Sequence, residues 1–118
     1  MKLILTAHNL KVTEAIEQHV IEKIEKLDHF DPRAVDARVI LEDATSKPSE
    51  KDFKVSLRLA VPGPDLFAED HEEDLYAAID LVVKKIEQQI RKRQSKYKAR
   101  KHTLGAKSKQ ERQDKTLQ

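Results

Sequence analysis

Phe53-Lys54-Val55-Ser56-Leu57-Arg58-Leu59-Ala60-Val61 runs with a strict period of two until Pro62-Gly63-Pro64-Asp65 interrupts it. Successive side chains of an extended chain project to opposite faces, so Phe53, Val55, Leu57, Leu59 and Val61 define a dry face and Lys54, Ser56, Arg58 and Ala60 a wet one. A strand with one wet face belongs beside antiparallel neighbours rather than inside a doubly covered parallel sheet. Two prolines cannot continue a ladder and Gly63 permits positive φ, so the chain turns back there, into a short strand from Leu66 to Glu69. Upstream, beyond a polar loop over residues 43 to 51, the same alternation recurs from 35 to 42. It sets Val35, Ala37, Val39 and Leu41 against Asp36, Arg38, Ile40 and Glu42.

Further outward the period changes. Residues 2 to 7 are rich in Leu and Ile and end near Asn9, which makes a first strand. Thr13 is placed to cap a helix over residues 14 to 29, with Glu14 and Glu17 at its positive end and Ile16, Val20, Ile24 and Leu27 as its apolar stripe. Asp70, with Glu73 three residues on, reads as a capping box opening a second helix over about residues 72 to 98. Its stripe is Leu75, Ile79, Val82, Val83, Ile86 and Ile90, and Arg93 then stands where an apolar residue should fall, so the helix projects past the core. The order β-α-β-β-β-α predicts an α+β fold, a four-stranded, antiparallel-rich sheet with both helices on one face. That domain is expected to occupy residues 1 to 101. Residues 102 to 118 contain Gly105 and lack apolar periodicity, so they read as a basic, disordered tail.

Composition supports one domain with a single core, because 118 residues at 38% apolar content can cover one sheet face and two helices. The absence of cysteine removes disulfides, thiolate nucleophiles and cysteine metal sites, and fits a cytoplasmic setting. No apolar run approaches the roughly 20 residues that span a bilayer, and the stretch after Met1 is too short for a secretory signal.

Charge is divided sharply along the chain. From Lys84 onward there are 13 Lys and Arg against Glu87, Glu111 and Asp114; before it there are 10 against 18. One end is therefore suited to a polyanion and the body is not. On a helical wheel with Leu75 at zero, Lys85, Gln89, Lys92 and Lys96 fall at about 260° to 320°, beside the apolar stripe and free of acids, while Asp80 and Glu87 lie on the other flank. On the first helix His19, Lys23 and Lys26 border the apolar face in the same way. Two such flanks are expected to converge into a groove lined by ammonium groups, fit for a phosphate backbone. Base stacking on the sheet is disfavoured because the wet face of residues 53 to 61 carries no aromatic residue, which leaves folded RNA as the favoured partner.

The run Asp74-Leu75-Tyr76-Ala77-Ala78-Ile79-Asp80, followed by Lys85-Ile86-Glu87-Gln88-Gln89-Ile90 and Lys92, closely resembles the D-x-Y-x-A-I-D…K-L-x-R-Q-L signature of ribosome hibernation promoting factors. That family includes the ribosome-associated inhibitor and the sigma-54 modulation proteins. Thr6, Asn9, Val12-Thr13-Glu14-Ala15-Ile16, Glu22-Lys23-Ile24 and Lys26-Leu27 agree with it too. The resemblance implies a double-stranded-RNA-binding-like fold and attachment to the small ribosomal subunit of bacteria, in its mRNA and tRNA channel against 16S rRNA, so that translation stops and idle ribosomes are preserved. It also implies that Lys23, Lys26, Lys85, Gln89, Lys92 and Lys96 contact RNA, with His8, Asn9, His19, Arg91 and Arg100 as further contacts, and that neither cofactor nor membrane takes part. Three positions depart from the pattern: Ala7-His8 replaces a glycine pair, Gln88 replaces an arginine, and Lys84 replaces an acid. Long members carry a second domain that pairs ribosomes, and this chain is expected to lack a dedicated dimerisation domain.

Three other readings compete. One is a general structured-RNA-binding protein without ribosome specificity. Another is a metal-dependent hydrolase using the acidic cluster Glu69-Asp70-His71-Glu72-Glu73-Asp74, but consecutive carboxylates cannot all face one ion, and acids at a helix start answer its dipole. A membrane-surface helix would have to withdraw the stripe from Leu75 to Ile90 from the core. The expectation is therefore a non-enzymatic, RNA-binding chain.

Overall fold

The computed structural model describes residues 1 to 108, with side chains through residue 96. Its elements run β1 (Lys2–His8), α1 (Glu14–Phe30), β2 (Asp36–Asp43), β3 (Phe53–Ala60), β4 (Leu66–Glu72) and α2 (Leu75–Ser108). The strands form one sheet in the order β1-β2-β3-β4. β1 and β2 are parallel, and the two remaining pairs are antiparallel. A parallel pair needs a crossover and α1 supplies it, whereas β3 and β4 are joined by the turn at Gly63, whose φ of +86° is accessible to glycine.

Thr13 caps α1 as its sequence indicates, its Oγ1 accepting from the Ile16 N–H at 3.2 Å. The start of α2 is different. β4 does not stop at Glu69 but continues to Glu72, because Phe53 at the beginning of β3 pairs with Glu72 and holds that segment extended. Asp70 is therefore a strand residue, and Asp74 caps α2, with its Oδ1 accepting from Tyr76 N–H at 3.2 Å and its carbonyl from Ala78 N–H at 3.0 Å. Val35 also departs from expectation. It precedes β2 and is 65% exposed rather than facing the core. At the other end α2 continues through residues 102 to 108, where a tail was expected, and residues 109 to 118 lie outside the described residues.

Ala37, Val39, Leu41, Val55, Leu57, Leu59, Leu66 and Ala68 form the covered sheet face, and Val20, Ile24 and Leu27 from α1 with Ile79, Val82, Ile86 and Ile90 from α2 complete the core. Each Leu or Ile so enclosed contributes about 1.5 to 3 kcal/mol by leaving water. Burial along α2 ends at Ile90 among the described side chains, which leaves the rest of the helix beyond the sheet.

Candidate nucleic-acid interface

Burying Leu75, Ile79, Val82, Val83, Ile86 and Ile90 fixes which side of α2 meets water. Lys84, Lys85, Gln88, Arg91, Lys92, Ser95 and Lys96 are exposed on it. Glu87 is the single carboxylate between Lys84 and Lys96, and it is half-buried and paired with Arg91 at 3.2 Å. Among the described residues Lys26, Lys84, Lys92 and Lys96 have no carboxylate partner.

The two flanks of α2 have different neighbours. Lys85 lies over β4, its Nζ 3.3 Å from both the Glu69 carbonyl and Asp70 Oδ2. Gln89 Nε2 donates to the Phe67 carbonyl at 2.9 Å and Arg93 Nη2 to the Pro64 carbonyl at 2.8 Å, along the same edge. The opposite flank faces α1. Asp80 Oδ1 sits 2.7 Å from His19 Nε2 and 3.6 Å from Lys23 Nζ, and the His19 ring meets Tyr76 edge to face at 5.0 Å. Farther along, Gln94 Nε2 donates to the Phe30 carbonyl at 2.9 Å, and the Arg91 guanidinium lies 4.9 Å over the Phe30 ring.

These contacts overturn the expectation of a groove between two acid-free flanks. The basic edge of α1 lies against the acid-bearing flank of α2, and Lys85 and Gln89 lie on the far side, above β4. A wheel gives each flank relative to its own stripe but not the order in which helices sit on the sheet. α1 and α2 lie side by side, and α2 covers β3 and β4, so the flank of α2 away from β4 is the one that meets α1. The strips are joined instead across the outer face of α2 by Lys84, Gln88 and Arg91. Lys84 and Gln88 stood out in the sequence only as departures from a family pattern.

Other sequence-predicted positions separate. His8 and Asn9 end β1, the sheet edge opposite β4, where Asn9 takes a left-handed φ of 58° that asparagine tolerates. Arg100 lies in α2, its side chain outside the described residues. The acidic cluster is dispersed by the alternation of β4. Glu69 faces the uncovered sheet surface and meets Ser56 and Lys54; Asp70 faces Lys85; His71 pairs with Asp52 at 2.9 Å; and Asp74 caps α2. No group of three or more His, Cys, Asp or Glu side chains among the described residues could hold a metal ion, and no described helix is long and apolar enough to cross a membrane.

With this arrangement in hand, comparison with known proteins is specific. The profile of the family described as sigma 54 modulation protein / S30EA ribosomal protein matches residues 3 to 98. A ribosome hibernation promotion factor of Deinococcus radiodurans is 38% identical over 93 residues, which are 79% of this chain and 49% of that protein. A ribosome hibernation promoting factor of Azotobacter vinelandii is 36% identical over 97 residues, 81% of this chain and 85% of that one. The chain thus spans about half the length of the first relative and most of the second. Its fold superposes on the N-terminal domain of Protein Y from Thermus thermophilus with a TM-score of 0.67 at 29% identity, covering 78% of this chain and 98% of that domain. The profile match across most of the chain, the identities and the likeness of fold place this protein in the sigma 54 modulation protein / S30EA ribosomal protein family.

Proposed function

We propose that this chain is a ribosome hibernation factor that docks on the small ribosomal subunit through its helix layer, contacts 16S rRNA in the mRNA and tRNA channel, and keeps idle ribosomes intact while blocking translation. The observation that carries the reading is the outer face of α2, where Lys84, Lys92 and Lys96 have no carboxylate partner among the described residues. Ammonium groups already paired would have to exchange a carboxylate for a phosphate; unpaired ones exchange only water and counterions. Lys23 and Lys26 extend the surface across α1, and Lys85 and Gln89 border it along β4. Arg91 and His19 belong to the same layer, whereas His8 and Asn9 would reach RNA only if it wrapped the sheet. A ribosomal partner implies a cytoplasmic location.

The uncovered sheet face supports the same orientation. Arg38, Lys54 and Arg58 there have carboxylates of this chain within 3.5 to 3.9 Å. These three cations are already answered, and a polyanion gains more from the unpaired lysines of α2.

Sucrose-gradient fractionation of bacterial ribosomes with and without the protein tests the assignment. The protein should co-migrate with small subunits and intact ribosomes, and excess structured non-ribosomal RNA should not displace it. Displacement by any folded RNA at equal phosphate concentration would replace ribosome recognition with general RNA binding.

A further inference from the structure

β4 has a partner on one side only, so every second N–H and C=O along its outer side is open, the usual invitation to unwanted strand pairing. In this protein α2 reaches down to that side. Lys85, Gln89 and Arg93, spaced four residues apart, donate in turn to the carbonyls of Glu69, Phe67 and Pro64 at 3.3, 2.9 and 2.8 Å. Four residues of helix rise about 6 Å and two residues of strand span about 6.6 Å, so Lys85 and Gln89 meet successive outward carbonyls of β4 while the two elements run in opposite directions, and Arg93 reaches Pro64 in the turn that precedes the strand.

These hydrogen bonds do something the apolar stripe cannot. Val82, Val83, Ile86 and Ile90 present a smooth surface on which a helix can roll by several degrees with little change in buried area, because hydrophobic burial is not directional. Hydrogen bonds to fixed carbonyls are directional and stop that roll. Gln89 is the informative member. It is neutral, half-buried, and its amide nitrogen is aimed at the sheet rather than at solvent.

We propose that Gln89 and Arg93 are positioning residues: by anchoring α2 to a free carbonyl of β4 and to the turn before it, they set the rotation that aims Lys84, Lys92 and Lys96 at RNA, without touching the RNA themselves. The inference rests on the RNA reading of the helix layer and adds to it which residues aim the surface and which contact the ligand.

Gln89→Met removes the donor and keeps the length. Binding of the full chain to small ribosomal subunits is measured over a KCl series for the wild type and this variant, with circular dichroism confirming the fold. If Gln89 itself touched the RNA, removing so neutral a group would weaken binding by the same factor at every salt concentration and leave the slope of log K against log salt unchanged. Turning the charged neighbours away from the RNA makes the slope shallower, by about 0.9 for each phosphate that is no longer neutralised. The expected result is the shallower slope, with affinity at low salt down on the order of tenfold. Gln89→Lys, which retains a donor, should restore the wild-type slope or steepen it. An unchanged slope in the methionine variant, with or without weaker affinity, overturns the proposal, as does failure of the lysine variant to restore it. No salt-dependent binding by the wild type would overturn the RNA reading and this inference with it, and that result is distinct from a wild type that binds and a variant that matches it.

Discussion

Asp70 and Asp74 are four positions apart and hold different places, one on a strand and one at a helix start. Asp74→Ala removes the acceptor of Tyr76 N–H and should cost about 1 kcal/mol in urea unfolding, the usual loss for a helix cap. Asp70→Ala removes one side of an ion pair with a half-exposed lysine and should cost less, about 0 to 1 kcal/mol. The reverse ranking would return the cap to Asp70. Asp80 is the acid between the helices. Asp80→Asn keeps an oxygen acceptor for His19 and Lys23 but removes the charge, leaving Lys23 without a carboxylate among the described residues. Ribosome binding should tighten at low salt, with a slope steeper by up to about 0.9. Weaker binding would show instead that Asp80 holds Lys23 where RNA needs it. At this scale the local signals were legible: Thr13 is a cap because nothing else claims that segment. Asp70 misled because Phe53, seventeen residues earlier, holds the segment around it in the sheet, and a capping pattern carries no information about such a distant partner.

Within α2, packing and binding reside on separate faces of one cylinder. Ile86→Ala empties a fully buried site and should cost about 2 to 5 kcal/mol while leaving the affinity of the remaining folded protein close to wild type. Lys92→Gln should do the opposite, shifting stability by no more than about 0.5 kcal/mol and reducing the salt slope by about 0.9. Thermal unfolding beside ribosome titration separates the two; a Lys92→Gln variant with unchanged slope would remove that lysine from the interface. The apolar stripes of both helices were readable because a 3.6-residue period needs only local order. Their side-by-side arrangement was not. It follows from α1 crossing between β1 and β2 while α2 follows β4, and no wheel of a single helix contains that. The Gln89 and Arg93 anchors were invisible for the same reason, since the carbonyls they meet lie 22 and 29 residues away in the chain.

Across the whole molecule the division of charge in the sequence becomes a division of surfaces. Among the acids of the first 83 residues Asp74 caps α2, Asp36 and Asp65 answer arginines on the uncovered sheet, and Glu22 and Glu25 line the outer side of α1, while Lys84, Lys92 and Lys96 stand on α2 without a carboxylate partner among the described residues. The strand count, the element order and the single covered face followed from period-two alternation and two amphipathic stripes. Lys26, Lys85, Lys92 and Lys96 lie exposed on the helices, as the wheels indicate, but they do not line a groove between them. The measurement closest to the central claim is sedimentation of small ribosomal subunits over a KCl series with wild-type protein and with the Lys84→Glu, Lys92→Glu, Lys96→Glu triple variant, both verified as folded. The wild type should pellet with the subunits at low salt and leave them steeply as salt rises, and the triple variant should remain in the supernatant throughout. Co-sedimentation of the triple variant at wild-type levels, or wild-type binding indifferent to salt, would contradict an interface built on the outer face of α2.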